Sequence, residues 1–222
     1  MWRDAALVAG RDLRVELRSR VTSNQVAPFS VLVLVLFAFA LDPDRQLLER
    51  LASGLYWTAV LFAALLAISR SAAIDETDGV RDALRLSGLE PAGVFLGKAA
   101  AVAVLLLGLE VLLGVGVVIL YGVELAGAGL VVLAGIAATV AVAATGTLYG
   151  ALVSGLRVRE TLLPLLLLPV LAPVLIGATR AFEASLAGVP ADGWPWCGLL
   201  AGLAVLYSVA GALAYGTLLE GS

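Results

Sequence analysis

The chain has 222 residues, 61% of them hydrophobic, and a formal net charge of −3 at pH 7. This apolar content exceeds the roughly 45–50% of soluble globular domains and excludes an ordinary water-soluble protein, while the weakly acidic balance excludes the basic footprint of a nucleic-acid-binding domain. The sequence has no histidine and one cysteine, Cys197, which excludes an internal disulfide and removes the side chains that dominate acid–base catalysis and metal ligation.

Residues 1–24 predict an amphipathic helix that lies on the membrane surface. Apolar residues recur there at helical spacing, namely Ala6, Ala9, Leu13, Leu17 and Val21, with charged residues around them. Helices of this kind lie in the plane of the interface. No small-residue cleavage site follows the next apolar segment, so we expect an uncleaved helix rather than a secretory signal.

Six apolar segments follow, each near the ~20 residues that cross the hydrocarbon core of a bilayer. They cover residues 26–41, 51–68, 95–120, 125–153, 162–179 and 197–219. The sequence therefore predicts an all-α integral membrane protein with six transmembrane helices, in one domain over residues 1–222. Within it, spans one and two occupy residues 26–68, a polar connector residues 69–91, spans three and four residues 95–153, and spans five and six residues 162–219.

The basic residues predict the orientation, because cytoplasmic loops carry an excess of lysine and arginine. With the N-terminus in the cytoplasm, eleven basic residues lie in inner segments and three, Arg45, Arg50 and Arg180, in outer loops. We therefore expect both termini to be cytoplasmic. Trp194 and Trp196 then lie at the outer interface, where tryptophan is enriched.

The connector is the main polar segment between spans. Asp75, Glu76 and Asp78 precede Gly79, and four residues then share one helical face, Val80, Ala83, Leu84 and Ser87. Acidic groups near a helix start interact favourably with its dipole, so the pattern predicts a short cytoplasmic amphipathic helix. Such a helix can dock into a groove of a soluble partner. The alternative is a solvated loop whose charges keep it out of the bilayer.

Glu110 is an ionisable residue deep in span three. A charge near the middle of a bilayer costs about 2.5–3.5 kcal/mol on insertion scales, so we expect this carboxyl group to be partnered, protonated or facing a cavity. One interpretation is a polar contact on a translocation path or at a subunit seam. The other is a protonated carboxyl bonded to a serine, a threonine or a carbonyl of a neighbouring helix.

Spans four and five carry two further patterns. Span four has small residues at a four-residue spacing that Val142 interrupts, namely Ala134, Ala138, Gly146, Gly150 and Ser154. Small residues let membrane helices approach closely, which indicates packing within the chain, with a homodimer seam as the alternative. Span five contains Pro164, Pro169 and Pro173. Prolines free backbone carbonyls and kink a helix, which serves either gating or irregular packing.

Residues 93–99 resemble a phosphate-binding loop only superficially. The segment has one residue too few between Gly93 and Gly97, and Ala99 stands where a Mg²⁺-ligating serine or threonine belongs. Lys98 is therefore expected at the inner interface, with its charge extended toward lipid headgroups. The sequence offers no nucleophile–base pair either, and it predicts a chain that is not an enzyme and binds no metal or cofactor of its own.

One set of residues runs through the connector and its flanks: Arg70, Asp75, Asp78, Gly79, Leu84, Leu86 and Lys98, with Arg11, Glu16 and Arg18 before span one. This pattern resembles the cytochrome c maturation permease family, heme exporter protein B (CcmB). Residues 168–179, which include Pro169 and Pro173, are similar to the fifth segment of that family. Length, number of spans and topology also agree, so the resemblance covers essentially the whole chain.

The resemblance implies the membrane permease subunit of an ABC complex with the type-2 exporter fold, located in a bacterial inner membrane. In that family two permeases pair with two copies of a cytoplasmic CcmA-type ATPase, which binds ATP. They associate with a CcmC-type heme-handling membrane subunit, a small accessory subunit and a CcmE-type heme chaperone. ATP hydrolysis drives heme export, or release of heme-loaded chaperone, for c-type cytochrome biogenesis. The missing histidines argue against direct iron ligation by this chain.

By the same analogy, residues 75–87 form the coupling helix and the N-terminal helix flanks the ATPase. The residues expected to couple the ATPase to the membrane domain are Arg70, Asp75, Asp78, Gly79, Leu84 and Leu86. Two other functions stay open: a type-2 ABC permease for a drug, lipid or polysaccharide, and a stand-alone secondary transporter that uses Glu110 for protons. Genes for heme-handling proteins next to this gene would favour heme export over a permease for another substrate. Ion-driven uptake without an ATPase would identify a secondary transporter.

Overall fold

The computed structural model describes residues 1–19, 22–40, 45–76, 88–123, 126–154, 156 and 158–220. These ranges contain seven α-helices, in chain order α1 (Trp2–Ser19), α2 (Ala27–Ala40), α3 (Arg45–Glu76), α4 (Pro91–Tyr121), α5 (Ala128–Val153), α6 (Arg159–Leu186) and α7 (Trp194–Glu220). A π-helical turn, Thr22–Val26, leads directly into α2, and a 3₁₀ turn, Pro190–Gly193, leads into α7. The same ranges contain no β-strand.

Five helices include a segment long and apolar enough to cross a membrane: Leu47–Ala73, Pro91–Tyr121, Ala128–Val153, Thr161–Leu186 and Pro190–Leu218. Helix α1 and the segment Asn24–Ala40, which meet at 54°, satisfy the same criteria together, so the chain has up to six spans. A long helix satisfies its backbone hydrogen bonds internally, which the hydrocarbon core requires. The prediction of an all-α integral membrane protein is confirmed.

Some helices extend beyond the apolar segments that the sequence marks. Helix α3 continues past residue 68 to Glu76, so Arg70 and Asp75, which the sequence assigns to the connector, lie inside a helix. Helix α6 likewise continues past residue 179. Hydropathy marks the part of a helix that faces hydrocarbon, whereas the hydrogen-bonded backbone can continue into polar residues beyond the membrane.

The far end of the connector is defined by the start of α4. This helix begins at Pro91, at a position where the missing N–H costs no helical hydrogen bond. It ends at Tyr121 and is followed by Gly122, whose φ of 69° is in the left-handed region that glycine adopts readily. Residues 77–87, which hold most of the predicted coupling helix, lie outside the described residues.

Helix α5 lies at the centre of the bundle and packs against α3, α4, α6 and α7. Its small residues make this possible, since Ala134 and Ala138 are completely buried. Gly146 lies directly against the side chain of Ile68, and a Cβ atom at Gly150 would be 3.5 Å from the Cβ atom of Ala72. The small residues of span four therefore pack within the chain, where they let helix backbones approach closely.

Large side chains fill the space between the helices around α5. Fully buried large side chains in this region include Trp57 on α3, Leu106 and Leu113 on α4, and Leu167 and Leu171 on α6. Trp57 meets the ring of Phe182 edge-on, with ring centroids 5.2 Å apart. The main core therefore lies among α3, α4, α5 and α6, and the candidate site described next lies beside it.

Candidate functional site

Helix α1 packs closely along the first turns of α4. A Cβ atom at Gly93 would lie 2.8 Å from the carbonyl oxygen of Met1, and a Cβ atom at Gly97 would lie 2.8 Å from the Cβ atom of Val8. Only glycine fits at either position, because real Cβ atoms do not approach other heavy atoms so closely. The glycines of residues 93–99 therefore serve helix packing, as small residues do elsewhere in membrane proteins.

Two ion pairs hold the second half of α1. Nε of Arg70, near the end of α3, donates a hydrogen bond to Oε2 of Glu16 at 3.2 Å. Nζ of Lys98, near the start of α4, lies 3.5 Å from Oδ2 of Asp12. Glu16 is 6% exposed and Lys98 is 2% exposed, and charges so withdrawn from water require partners. The expectation that Lys98 extends toward headgroups is wrong, because its ammonium group turns inward to α1.

The first turn of α1 contacts the residue that precedes α4. The backbone N–H of Glu90 donates to Oδ2 of Asp4 at 3.4 Å, and Oε2 of Glu90 lies 2.9 Å from the amino group of Met1. Together with the two ion pairs, these contacts join α1 to both helices that carry the ends of the connector. We call this unit the α1 clamp, and it consists of α1, the Arg70 end of α3 and residues 90–98.

The structure describes only part of the predicted coupling residues. Arg70 has a side chain that is 31% exposed and bonded to Glu16. Asp75 belongs to the last turn of α3. The other coupling residues, Asp78, Gly79, Leu84 and Leu86, lie outside the described residues. Their contact with an ATPase stays a prediction.

Glu110 lies on α4 and is 7% exposed. Its carboxyl group is within hydrogen-bonding distance of the Thr139 hydroxyl on α5. The Tyr56 hydroxyl on α3 donates to the backbone carbonyl of the same glutamate at 3.2 Å. The carboxyl also lines a cavity of about 520 Å³ between α3, α4, α5 and α6. The geometry thus combines two sequence expectations, a carboxyl bonded to a threonine of a neighbouring helix and a carboxyl that faces a cavity.

Helix α6 continues from Arg159 to Leu186 through the three prolines of span five, Pro164, Pro169 and Pro173. The Tyr207 hydroxyl on α7 donates to the backbone carbonyl of Val170, between the second and third prolines, at 3.1 Å. Neighbouring helices commonly satisfy backbone groups in the proline-containing part of a membrane helix. This contact favours packing as the role of the prolines, and a role in gating stays a prediction.

Several of these contacts involve residues that sequence patterns did not single out, among them Asp12, Tyr56 and Thr139. Asp12 carries a usable signal, because it is four residues before Glu16 and the two therefore share one face of a helix. Two acidic side chains on the buried face of an interfacial helix indicate cationic partners on another element. Tyr56 and Thr139 carry no such signal, since isolated hydroxyl groups are common in apolar helices.

Comparison with known proteins shows similarity to one family and to several relatives that share one name. The model of the family described as CcmB protein matches residues 4–221. A relative from Haemophilus influenzae called heme exporter protein B is 34% identical over 184 residues, which are 82% of this chain and 83% of that protein. Proteins of the same name from Pseudomonas aeruginosa and Escherichia coli K12 are 32% and 35% identical over 189 and 206 residues. These matches cover 85% and 91% of this chain, and 84% and 93% of the two relatives. The chain therefore belongs to the CcmB protein family.

Proposed function

We propose that this chain is the membrane permease subunit of an ABC complex that acts in heme export for c-type cytochrome biogenesis. The proposal is supported by its membership of the CcmB family and by relatives named heme exporter protein B that match most of its length. ATP is bound and hydrolysed by a separate cytoplasmic ATPase. The packing of Ala5 and Val8 against Gly97 supports the assignment of ATP binding to a separate protein. Helix α1 occupies the space next to Gly97 that a bound phosphate would need.

The observation that carries the coupling role is the α1 clamp. The connector enters from α3 and leaves into α4, and α1 is bonded to α3 through Arg70 and to α4 through Lys98. A force applied to the connector by a partner protein is therefore transmitted to three helices together. Packed side chains, ion pairs and rigid helices of this kind carry energetic coupling between distant sites.

Heme is the cargo of the complex rather than a cofactor of this chain. The usual protein ligands of heme iron are histidine, methionine, cysteine and tyrosine. The sequence has no histidine, one cysteine, one methionine and five tyrosines. Cys197 is buried in α7, and the hydroxyl groups of Tyr56, Tyr121 and Tyr207 are bonded to backbone carbonyls. We therefore assign heme handling to a CcmC-type membrane subunit and a CcmE-type chaperone, with a small accessory subunit and a second copy of this chain completing the complex.

The proposed orientation places both termini and the connector on the cytoplasmic side of a bacterial inner membrane. The eleven-to-three division of basic residues in the sequence supports it. In this orientation the α1 clamp is at the cytoplasmic surface, where an ATPase can reach the connector. The Tyr121 end of α4 then lies at the outer surface.

Co-purification with the ATPase tests the coupling role. Asp78→Lys combined with Leu84→Ala changes the predicted docking helix, and the ATPase is expected to be lost from the purified complex. Glu49→Lys combined with Leu47→Ala makes the same type of change at the opposite end of α3 and should leave the ATPase bound. Full retention of ATPase binding and of coupled hydrolysis by the Asp78 and Leu84 variant would contradict the proposal.

Deletion of the gene tests the cargo. Heme staining should show the loss of c-type cytochromes, heme-bound chaperone should accumulate, and a plasmid copy of the gene should reverse both effects. A type-2 permease for a drug, lipid or polysaccharide would leave the cytochromes unchanged. Normal cytochromes in the deletion strain would therefore remove the assignment to heme export while leaving the ATPase interaction intact.

A further inference from the structure

The cavity beside Glu110 lies in the half of the membrane domain nearest Tyr121. It is lined by the ends of α4 and α6 and by the starts of α3 and α5. Glu110 is 11 residues from the end of α4, which places it about 16 Å below that end at the α-helical rise of about 1.5 Å per residue. The cavity therefore begins near one membrane surface and reaches deep into the hydrocarbon region.

The mouth of the cavity faces sideways, between α4 and α5. Val111 and Val115 on α4 and Val132 on α5 line the cavity, and they are 69%, 53% and 57% exposed. All three lie inside membrane-spanning segments, so their exposed surfaces face hydrocarbon rather than water. A molecule that enters between these residues therefore comes from the bilayer.

The lining is apolar apart from a few groups, of which Glu110 is the most distinctive. The Thr139 hydroxyl lies within hydrogen-bonding distance of a carboxyl oxygen of Glu110 and at 2.8 Å from the carbonyl oxygen of Gly135. A hydroxyl group carries one hydrogen, and threonine in a helix commonly donates it to the carbonyl four residues earlier. A protonated Glu110 that donates to Thr139 satisfies both contacts, each with its own hydrogen.

This arrangement leaves Oε2 of Glu110 as an acceptor on the cavity wall. The contact of the carboxyl group with Thr139 is made by the other oxygen, Oε1. Tyr56, which also lines the cavity, already donates its hydroxyl hydrogen to the backbone carbonyl of Glu110. Polar atoms in an apolar surrounding are stabilised by a partner, and the partner that fits Oε2 is a hydrogen-bond donor.

We infer that this cavity binds a membrane-dissolved lipophilic molecule that carries one hydroxyl group, with the hydroxyl donating to Oε2 of Glu110. The volume of about 520 Å³ is within the range of about 300–1,000 Å³ that is typical of small-molecule sites. The sideways mouth explains access from the bilayer, and the apolar walls fit a hydrocarbon body. The site is separate from the α1 clamp and does not depend on the function proposed above.

Two probes with the same apolar body test the site, a bromo-substituted 4-nonylphenol and its methyl ether, which lacks the donor. Trp57 reports their binding, because its ring contacts Tyr56 and Phe182, at centroid distances of 5.5 Å and 5.2 Å, and both neighbours line the cavity. The measurement uses the full chain in lipid nanodiscs, with the other tryptophans replaced by phenylalanine. We expect saturable quenching, with the phenol binding about fivefold to tenfold more tightly than the ether, as one hydrogen bond provides.

Variants of Glu110 test the hydrogen bond. Glu110→Gln keeps an acceptor on the cavity wall and should keep the preference for the phenol. Glu110→Leu removes the acceptor, and the phenol should then bind only as tightly as the ether. If the preference survives in Glu110→Leu, or if neither probe binds saturably to the unmodified protein, the inference is overturned.

A matched pair of glycine variants tests the location without altering Glu110. Gly114 lines the cavity, and a Cβ atom there meets nothing within 4 Å. Gly108 on the same helix also has open space around its Cβ position but does not line the cavity. Gly114→Leu should abolish saturable quenching by both probes, whereas Gly108→Leu should retain it. Equal binding by the two variants would show that the probes bind elsewhere.

A second copy of this chain is the alternative occupant of the mouth. Disulfide formation by Val111→Cys in a Cys197→Ala background measures this contact in the intact complex. We expect no cross-linking between copies. Rapid cross-linking through residue 111 would assign the mouth to a subunit interface and overturn the inference.

Discussion

Arg70 and Glu16 form an ion pair between the end of α3 and the N-terminal helix α1, with Nε 3.2 Å from Oε2. The glutamate is almost completely buried, at 6% exposure. Arg70 is one of the residues expected to couple the ATPase, and its guanidinium group faces α1. The residue is therefore suited to transmit motion of the connector to α1 rather than to contact the ATPase alone.

Removal of this ion pair should loosen α1. Arg70→Ala is expected to lower stability by about 1.5–3 kcal/mol, because hydrogen bonds to charged groups contribute that much, and to increase protease cleavage within α1. The exchange Arg70→Glu with Glu16→Arg should recover part of the loss. Arg180→Ala is a suitable control, since its partner Glu183 and its own side chain are both at least half exposed, and exposed pairs contribute about 0–1 kcal/mol. Equal effects of both arginine variants on α1 would contradict the clamp.

The contact between α1 and α4 depends on Gly97. A Cβ atom there would lie 2.5 Å from the carbonyl oxygen of Ala5, so Gly97→Ala should displace α1 and cost about 1–3 kcal/mol, as overpacking does. Gly108→Ala on the same helix has open space and should be neutral or slightly stabilising, because alanine favours helix over glycine. Thermal unfolding in detergent and cleavage of α1 would measure both. A neutral Gly97→Ala would show that α1 does not pack as described.

The contact between Glu110 and Thr139 predicts an asymmetry between two substitutions. Glu110→Gln should change stability little, because an amide can replace a protonated carboxyl in the hydrogen bond with Thr139. Thr139→Val removes the interhelical hydrogen bond at nearly constant volume and should cost about 0.6–1.7 kcal/mol, the range measured within membranes. Unfolding in mixed micelles would measure both values. Strong destabilisation by Glu110→Gln would indicate an ionised carboxyl instead.

The variant Glu110→Gln also tests whether the carboxyl group of Glu110 has a structural role or a role in transport. If Glu110 carries protons for transport, Glu110→Gln should abolish activity of the complex while the fold persists. We expect activity to be retained, measured as c-type cytochrome formation in a deletion strain. Loss of cytochromes with an unchanged unfolding midpoint would favour the proton pathway.

The hydroxyl group of Tyr207 stabilises the proline-containing part of α6 through the carbonyl of Val170. Tyr207→Phe should therefore lower stability by about 0.6 kcal/mol, the average for hydrogen bonds between membrane helices. If Tyr207→Phe unfolds at the same point as the unmodified protein, this contact does not support α6.

The sequence predicted many of the residues that belong to the candidate site but not which residues they contact. The charge and glycine pattern around Arg70 and Asp78 marked the connector, because charged residues between apolar segments must leave the bilayer. The partners of Arg70 and Lys98 did not follow from it. They lie on α1, 54 and 86 positions away in the chain, and hydropathy carries no information about which helices meet.

For Glu110, too, the sequence predicted the need for a partner but not the partner itself. Its position in an apolar span predicted that it needs a partner, since a lone charge in hydrocarbon is costly. Thr139 as that partner, and the cavity on the other side of the carboxyl, depend on how α4 and α5 are rotated against each other.

The order of apolar and polar segments by itself determined that this chain is a helical membrane protein with one polar connector, because the bilayer imposes length and hydropathy on every span. Only the tertiary structure decided that α1 clamps both ends of that connector and that a cavity opens beside Glu110. Those features arise from close packing at individual glycines such as Gly97 and from pairs of distant side chains, and packing is set by shape rather than by hydropathy.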